Sequence, residues 1–136
     1  MRMFSDKKLF QLQSLLRLAA ALTAIALPMG LFVGGAQPVA VNLIPVPWDK
    51  LAHAGVFAVL AAAMGYASGW RGWPMLLAGF GYAMGIGVLD EWHQMYLPGR
   101  SAGLEDLAAD AAGAALGATA LLARDQIEGW LMLRLG

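Results

Sequence analysis

The length of the uncharged segments is the feature that most constrains how this chain of 136 residues can fold. No charged residue occurs between Leu18 and Trp48, and two further uncharged segments cover 51–70 and 73–89. A helix needs about 20 mostly apolar residues to cross the hydrocarbon core of a bilayer. Because only 13% of the residues are charged, the chain lacks the polar surface of a soluble globule. The sequence therefore predicts an integral membrane protein.

Breaks in the apolar pattern divide the chain into helices. Prolines between 37 and 48 end the first apolar segment, Arg71 and Gly72 form a short turn, and a polar block covers 90–106. The predicted fold class is all-α: an integral membrane bundle of four transmembrane helices with short loops, in a single domain over residues 1–136. The predicted spans cover about 15–35, 51–70, 73–90 and 107–123, and an interfacial C-terminal helix covers 124–136.

The positions of the basic residues predict the orientation of the bundle. Four basic residues precede the first span, Arg71 lies between the second and third, and Arg124 and Arg134 follow the fourth. The positive-inside rule then makes the N- and C-termini cytoplasmic and turns the polar block outward. Lys50 and Arg100 lie on the outer side against this rule, which indicates a local chemical role.

A secretory signal peptide is the alternative interpretation of the first span. This segment has a basic start, an apolar middle and small residues at 34–36 that could be cleaved. We expect the segment to be retained as a membrane helix. The predicted location is a multi-pass protein in the bacterial inner membrane.

Composition excludes several classes of function. Nine basic and nine acidic residues cancel, so there is no basic surface for nucleic acid. Cysteine is absent, which excludes disulfides, thiolate metal sites and cysteine nucleophiles. Metalloprotease, P-loop and nucleophile-elbow motifs are also missing.

Polar residues gather where the second, third and fourth spans meet the outer side. Their spacing of three or four residues gives each helix a polar face at its outer end. Such groups near a membrane are expensive unless they are paired, which makes them a functional-site hypothesis. We predict one pocket formed by Asp49, Lys50, His53, Asp90, Glu91, His93, Gln94, Arg100, Asp106 and Asp110. The segment 97–101 is predicted to be a tight turn, with Ser101 as a cap for the fourth helix.

This predicted pocket has an excess of negative charge, with five carboxylates, two fixed cations and both histidines of the chain. Three arrangements could balance the charge: protonated carboxyls, protonated histidines, or a bound divalent metal ion. The residues alone do not choose among them.

Taken together, several short motifs resemble those of the VanZ-like family of small bacterial membrane proteins. Their order and spacing over residues 48–117 carry the resemblance, although the family often has Asn where this chain has Asp110. The resemblance implies a multi-span membrane protein with a role in resistance to glycopeptides such as teicoplanin. The matching motifs are Asp49-Lys50-x-x-His53, Asp90-Glu91-x-x-Gln94, Pro98-Gly99-Arg100, Asp106 and Gly113-x-x-x-Gly117.

Three functions are compatible with the polar cluster. It could bind an envelope lipid or a lipoglycopeptide-type ligand, with Arg100 and Lys50 holding an anion. It could be the active site of a hydrolase or transferase acting on a lipid-linked phosphate or cell-wall substrate, with or without a metal. It could instead be scaffold that holds the outer loop. Transport is disfavoured because no inverted repeat is present.

Two pairs of glycines have the spacing that lets membrane helices approach closely, at 81 and 85 and at 113 and 117. We predict that both pairs make contacts within the bundle. Association into a homo-oligomer is the alternative. Membrane lipids are expected to contact the remaining apolar surface.

Overall fold

Four α-helices make up most of the computed structural model, which describes the backbone of residues 2–135 and the side chains of 7–130 and Arg134. A 3-10 turn, Pro38–Ala40, lies in the loop after the first helix, and the described residues contain no strand. The all-α prediction is therefore confirmed. In chain order the helices are α1 (Arg2–Gly35), α2 (Trp48–Ala67), α3 (Trp73–Gln94) and α4 (Leu104–Leu135).

Three helices are long and apolar enough to cross a membrane: Lys7–Gly35 in α1, Trp48–Ala67, and Leu104–Trp130 in α4. Helix α3 is not one of them. It has no charge before Asp90, but four glycines and a polar C-terminal end lower its mean hydropathy. A fourth transmembrane helix therefore stays a prediction, as does the side on which the termini lie.

The last helix differs from its predicted boundaries. We predicted a span at 107–123 followed by a separate helix at 124–136, whereas α4 is one helix from Leu104 to Leu135. No proline or turn sequence follows residue 123, so nothing ends the helix there. Its interfacial location is untested, and the side chain of Leu131 and residue 136 lie outside the described part of the chain.

Helices α2 and α4 are in backbone contact through glycine. A Cβ atom added at Gly113 would overlap the carbonyl of Ala54, and one added at Gly117 would overlap that of Ala58. The hydrogen side chain of glycine is what permits this approach. The predicted contact of this glycine pair within the bundle is confirmed.

Helix α3 uses a different glycine from those we predicted. Gly79 packs against the carbonyl of Ala61, and a Cβ there would clash. A Cβ atom added at Gly81 or at Gly85 would have no neighbour within 4 Å, so the predicted bundle contact of this pair is wrong. They lie on the outward face of α3, where Gly81 is about 200° around the helix from Gly79 and Gly85 follows four residues later.

Helix α1 is at the edge of the bundle. The buried core is formed mainly by α2, α3 and α4, with Phe57 and Leu60 fully buried. Helix α1 packs chiefly against α2, and Tyr82 of α3 donates a hydrogen bond of 2.9 Å to the carbonyl of Ala24. Part of its C-terminal half lines an open space beside the polar ends of the other helices.

Candidate functional site

A cavity of about 780 Å³ lies where the C-terminal half of α1 faces the polar ends of α2, α3 and α4. The loop between α1 and α2 forms one side of it. Part of its lining is apolar, including Leu27, Leu31 and Val56, and part is polar. The cavity is therefore amphipathic.

Seven of the ten predicted pocket residues line this cavity, and His53 and Asp90 share it. The seven are Asp49, Lys50, His53, Asp90, Gln94, Arg100 and Asp106. The other three lie beside it: Asp110 behind His53, Glu91 against the start of α4, and His93 against α1.

Lys50 joins the first turns of two helices. Its ammonium group lies 3.1 Å from Asp49 of α2 and 2.5 Å from Asp106 of α4. Both carboxylates are in the first turn of their helices, where the helix dipole favours negative charge. The positive charge of Lys50 is thus neutralised by these two carboxylates.

His53 forms a pair with a buried carboxylate. Its Nδ1 lies 2.8 Å from Oδ1 of Asp110, whose side chain has 0% exposure. Gly87 of α3 makes room for this carboxylate, because a Cβ there would lie 3.0 Å from Asp110 Oδ2. Phe57, one turn further along α2, stacks parallel to the imidazole at 6.3 Å between ring centroids. The pairing fixes the orientation of the imidazole and leaves Nε2 as the ring nitrogen for other contacts.

Asp90 and Gln94 form the α3 part of the cavity wall. The Gln94 side chain donates a hydrogen bond of 2.9 Å to Asp90 Oδ2, and both residues are about 95% buried. Within the described residues, Asp90 has no Lys, Arg or His in ion-pair distance. A buried carboxylate without a cation is costly, so Asp90 is suited to receive one from a ligand.

Arg100 reaches from the loop before α4 to the end of α1. Its Nη1 donates a hydrogen bond of 3.1 Å to the carbonyl of Ala40, and a Cβ at Gly35 would lie 3.7 Å from Nη2. Its Nε is buried without a partner, and no carboxylate among the described side chains is in ion-pair distance. Arg100 thus lines the cavity without a carboxylate to neutralise its charge within the described residues.

The predicted turn that carries Arg100 is present. The Arg100 N–H donates to the Leu97 carbonyl at 3.2 Å, and Gly99 has φ = 76°, a backbone conformation that favours glycine. The predicted cap role of Ser101 is wrong, because α4 begins at Leu104 and Gly103 immediately precedes it.

Glu91 and His93, like Asp110, do not line the cavity, and their place in one functional pocket with the others stays a prediction. Glu91 Oε2 accepts a hydrogen bond of 2.6 Å from the Gly103 N–H, while Oε1 is buried without a partner. This residue follows the predicted third span, and burial raises the pKa of its carboxyl above the ordinary value. The imidazole of His93 packs edge-on against Phe32 of α1 at 5.4 Å.

The described residues contain no group of three or more His, Asp and Glu side chains placed to hold a metal ion. The acidic side chains are instead engaged by Lys50, His53, Gln94 and the Gly103 N–H. The divalent metal ion considered above therefore stays a prediction without a ligand set.

Sequence reasoning missed the part of the cavity that α1 supplies. Gly30 and Gly34 line it and have nothing within 4 Å of an added Cβ, so they leave the space open. The loop contributes the polar side chains of Gln37 and Asn42. A signal was present in the i and i+4 spacing of the two glycines, which places them on one face of α1.

These features define a class: a helical membrane protein with an amphipathic cavity at one end of its bundle. The family model described as VanZ/LLP1 matches residues 4–124 of the chain. The chain therefore belongs to the VanZ/LLP1 family. Comparison with curated proteins and with solved structures gives no significant match.

Proposed function

We propose that this VanZ-like protein binds an amphipathic ligand, an envelope lipid or a lipoglycopeptide-type molecule, at the extracytoplasmic face of the bacterial inner membrane. The observation that carries the proposal is the cavity of about 780 Å³ with one apolar and one polar side. Ligand sites, whether clefts or enclosed cavities, commonly have volumes of about 300–1,000 Å³, and this cavity is open on one side. The proposal includes four membrane-spanning helices with both termini in the cytoplasm.

The apolar side of the cavity is suited to a hydrocarbon chain. It is built by α1 and α2 from aliphatic side chains such as Leu27, Leu31 and Val56, with two glycines that keep it open. Burying a methylene group in such surroundings contributes about 0.8 kcal/mol. An acyl chain of a lipid or of a lipoglycopeptide would supply many of them.

The polar side is suited to a head group. Arg100 has no carboxylate and Asp90 no cation in ion-pair distance among the described residues, and both line the cavity. A ligand that pairs these groups would remove the desolvation penalty they carry in its absence. Holding an envelope lipid or a lipid-tailed antibiotic in this way would connect the cavity to the resistance role that the family name suggests.

A membrane enzyme is the second candidate, and one observation favours it. The imidazole of His53 is held by the buried Asp110 carboxylate, an arrangement that prepares a histidine for general acid or base catalysis. Such a site would act as a hydrolase or transferase on a lipid-linked phosphate. Release of product from such a lipid, lost in His53→Gln but not in a variant outside the cavity, would favour the enzyme over the binder.

Native mass spectrometry of protein purified with bacterial inner-membrane lipids tests binding. Filling the cavity with Gly30→Leu should remove the bound lipid, because the leucine side chain would occupy its space. Gly81→Leu is the matched control, since it adds the same side chain at an open position outside the cavity. Equal lipid retention by both variants, each with an unchanged melting temperature, would contradict the proposal.

A topology test uses the absence of cysteine from the chain. Ala102→Cys, in the exposed loop before α4, should react with a membrane-impermeant maleimide in intact cells after the outer membrane, where present, is permeabilised. Gln126→Cys, exposed near the other end of α4, should react only after lysis. The reverse pattern would place the cavity on the cytoplasmic side.

A further inference from the structure

We infer that the ligand head group carries both a phosphate and a primary ammonium, as in an ethanolamine phospholipid. This inference rests on the proposed function and specifies its ligand.

The charge of the cavity opposes a purely anionic head group. Three carboxylates line it, Asp49, Asp90 and Asp106, against two fixed cations, Lys50 and Arg100. The His53–Asp110 pair adds no net positive charge, even when the imidazole is protonated. The excess is at least one negative charge, so a ligand that brings only an anion would increase the imbalance.

Arg100 is nevertheless suited to an anion. Lys50 is held between two carboxylates, whereas Arg100 donates to the Ala40 carbonyl and has no carboxylate in ion-pair distance among the described residues. A guanidinium group offers several fixed donors that match phosphate geometry. The phosphate of the ligand therefore belongs at Arg100.

The opposite charge belongs with the carboxylates of α2 and α3. The Asp49 side chain lines the cavity and is 24% exposed, and Asp90 accepts from the neutral amide of Gln94 with no Lys, Arg or His in ion-pair distance among the described residues. An ammonium group has three N–H donors, which carboxylates such as these accept. Because the phosphate and the ammonium of one head group cancel each other, such a ligand would not increase the excess negative charge, whereas a purely anionic ligand would.

The lining distinguishes a primary from a quaternary ammonium. A choline-type cation has no N–H donor and is recognised by aromatic rings. No Phe, Tyr or Trp is among the described residues that line this cavity. Carboxylates such as Asp49 and Asp90 instead suit a cation that donates hydrogen bonds.

Competition between lipids tests the inference. The protein is exchanged into detergent micelles with equal amounts of phosphatidylethanolamine, phosphatidylcholine and phosphatidylglycerol of matched acyl chains, and bound lipid is counted by native mass spectrometry. We expect the ethanolamine lipid to be favoured about tenfold, the effect of one charge-assisted interaction of about 1.4 kcal/mol. Arg100→Gln should weaken binding of all three phospholipids.

Asp90→Asn should abolish the preference for the ethanolamine lipid over the glycerol lipid, because it removes the carboxylate that faces no cation. The control for Arg100→Gln is Arg71→Gln, which removes an arginine at the other end of the bundle. It should change neither the affinity for phospholipid nor the head-group preference. Melting temperatures of all variants separate misfolding from loss of binding.

The outcomes separate this inference from the proposed function. Phosphatidylglycerol or phosphatidylcholine bound as well as phosphatidylethanolamine would overturn the head-group inference and leave lipid binding intact. No bound lipid of any kind, from folded protein, would overturn both. Displacement of bound lipid by soluble O-phosphoethanolamine would support the head-group chemistry and identify a soluble molecule as a second source of it.

Discussion

The two interfaces of α2 differ in the space they leave. Toward α4, the backbones touch, because Gly113 and Gly117 lie directly against the carbonyls of Ala54 and Ala58. Toward the C-terminal half of α1, glycines leave space instead. A Cβ atom added at Gly30 or Gly34 would have no neighbour within 4 Å, and both residues line the cavity. The same residue type therefore closes one interface and opens the other.

This difference indicates a division of labour within the bundle. Helices α2, α3 and α4 form the closely packed part that fixes Lys50, His53 and Asp90, while α1 acts as one wall of the space beside them. The residues of a functional site are positioned more precisely when they lie on rigid helices or strands. Substitutions in α2, α3 and α4 should therefore damage the scaffold, whereas substitutions at the cavity face of α1 should change only the cavity.

Gly117→Leu is expected to have the largest effect. Its side chain would overlap the Ala58 backbone, which cannot move without separating α2 from α4. Overpacking usually costs about 1–3 kcal/mol, and because the overlap here is with backbone we expect a larger loss in the free energy of unfolding, seen as aggregation or a large fall in melting temperature in detergent. Gly85→Leu, with open space around it, should keep the wild-type melting temperature. Equal stability of the two variants would contradict the close α2–α4 interface.

Asp110→Ala should have the next largest effect, because it leaves His53 against a buried gap in the scaffold. Leaving the His53 Nδ1–H without its acceptor costs about 1–3 kcal/mol. Asp110→Asn keeps an oxygen that can accept from the His53 Nδ1–H, so it should lose much less stability. Chemical unfolding of the three proteins measures this, and equal losses in both variants would show that the hydrogen bond does not hold α2 to α4.

The smallest effect concerns pH and the contact between α3 and α4. Burial raises the pKa of Glu91, so the carboxyl favours folding while protonated and loses this contribution as pH rises through the raised value. We expect the melting temperature to fall less between about pH 4 and 8 in Glu91→Gln than in the wild type. The Gln side chain can still accept from the Gly103 N–H. Identical profiles of melting temperature against pH in the two proteins would show that Glu91 does not contribute to the pH dependence of stability.

The sequence was sufficient for the features that depend on charge pattern and local spacing. Uncharged segments located the helices, and i, i+4 spacing correctly put Asp90 and Gln94 in contact. His93 was grouped with them, but it lies about 100° around the helix from Gln94 and faces Phe32. The direction in which that face points depends on where α1 packs, which local spacing does not determine.

The glycines show the same limit. Spacing alone made the pairs at 81 and 85 and at 113 and 117 equivalent, yet only the second pair meets another helix. Which face of α3 turns inward is decided by Gly79 against Ala61 and by the space that Asp110 needs beside Gly87. These are contacts between helices distant in sequence, and they follow from packing the whole bundle.

Photoaffinity labelling tests the central claim most directly, that the cavity beside α1 holds an acyl chain. A phosphatidylethanolamine with a diazirine in its acyl chain is bound to the protein, irradiated, and the labelled residues are mapped by mass spectrometry. The account predicts labelling concentrated at Leu27, Leu31 and Val56 and its loss in Gly30→Leu. Labelling spread evenly over the outward faces of the helices, unchanged in that variant, would contradict it.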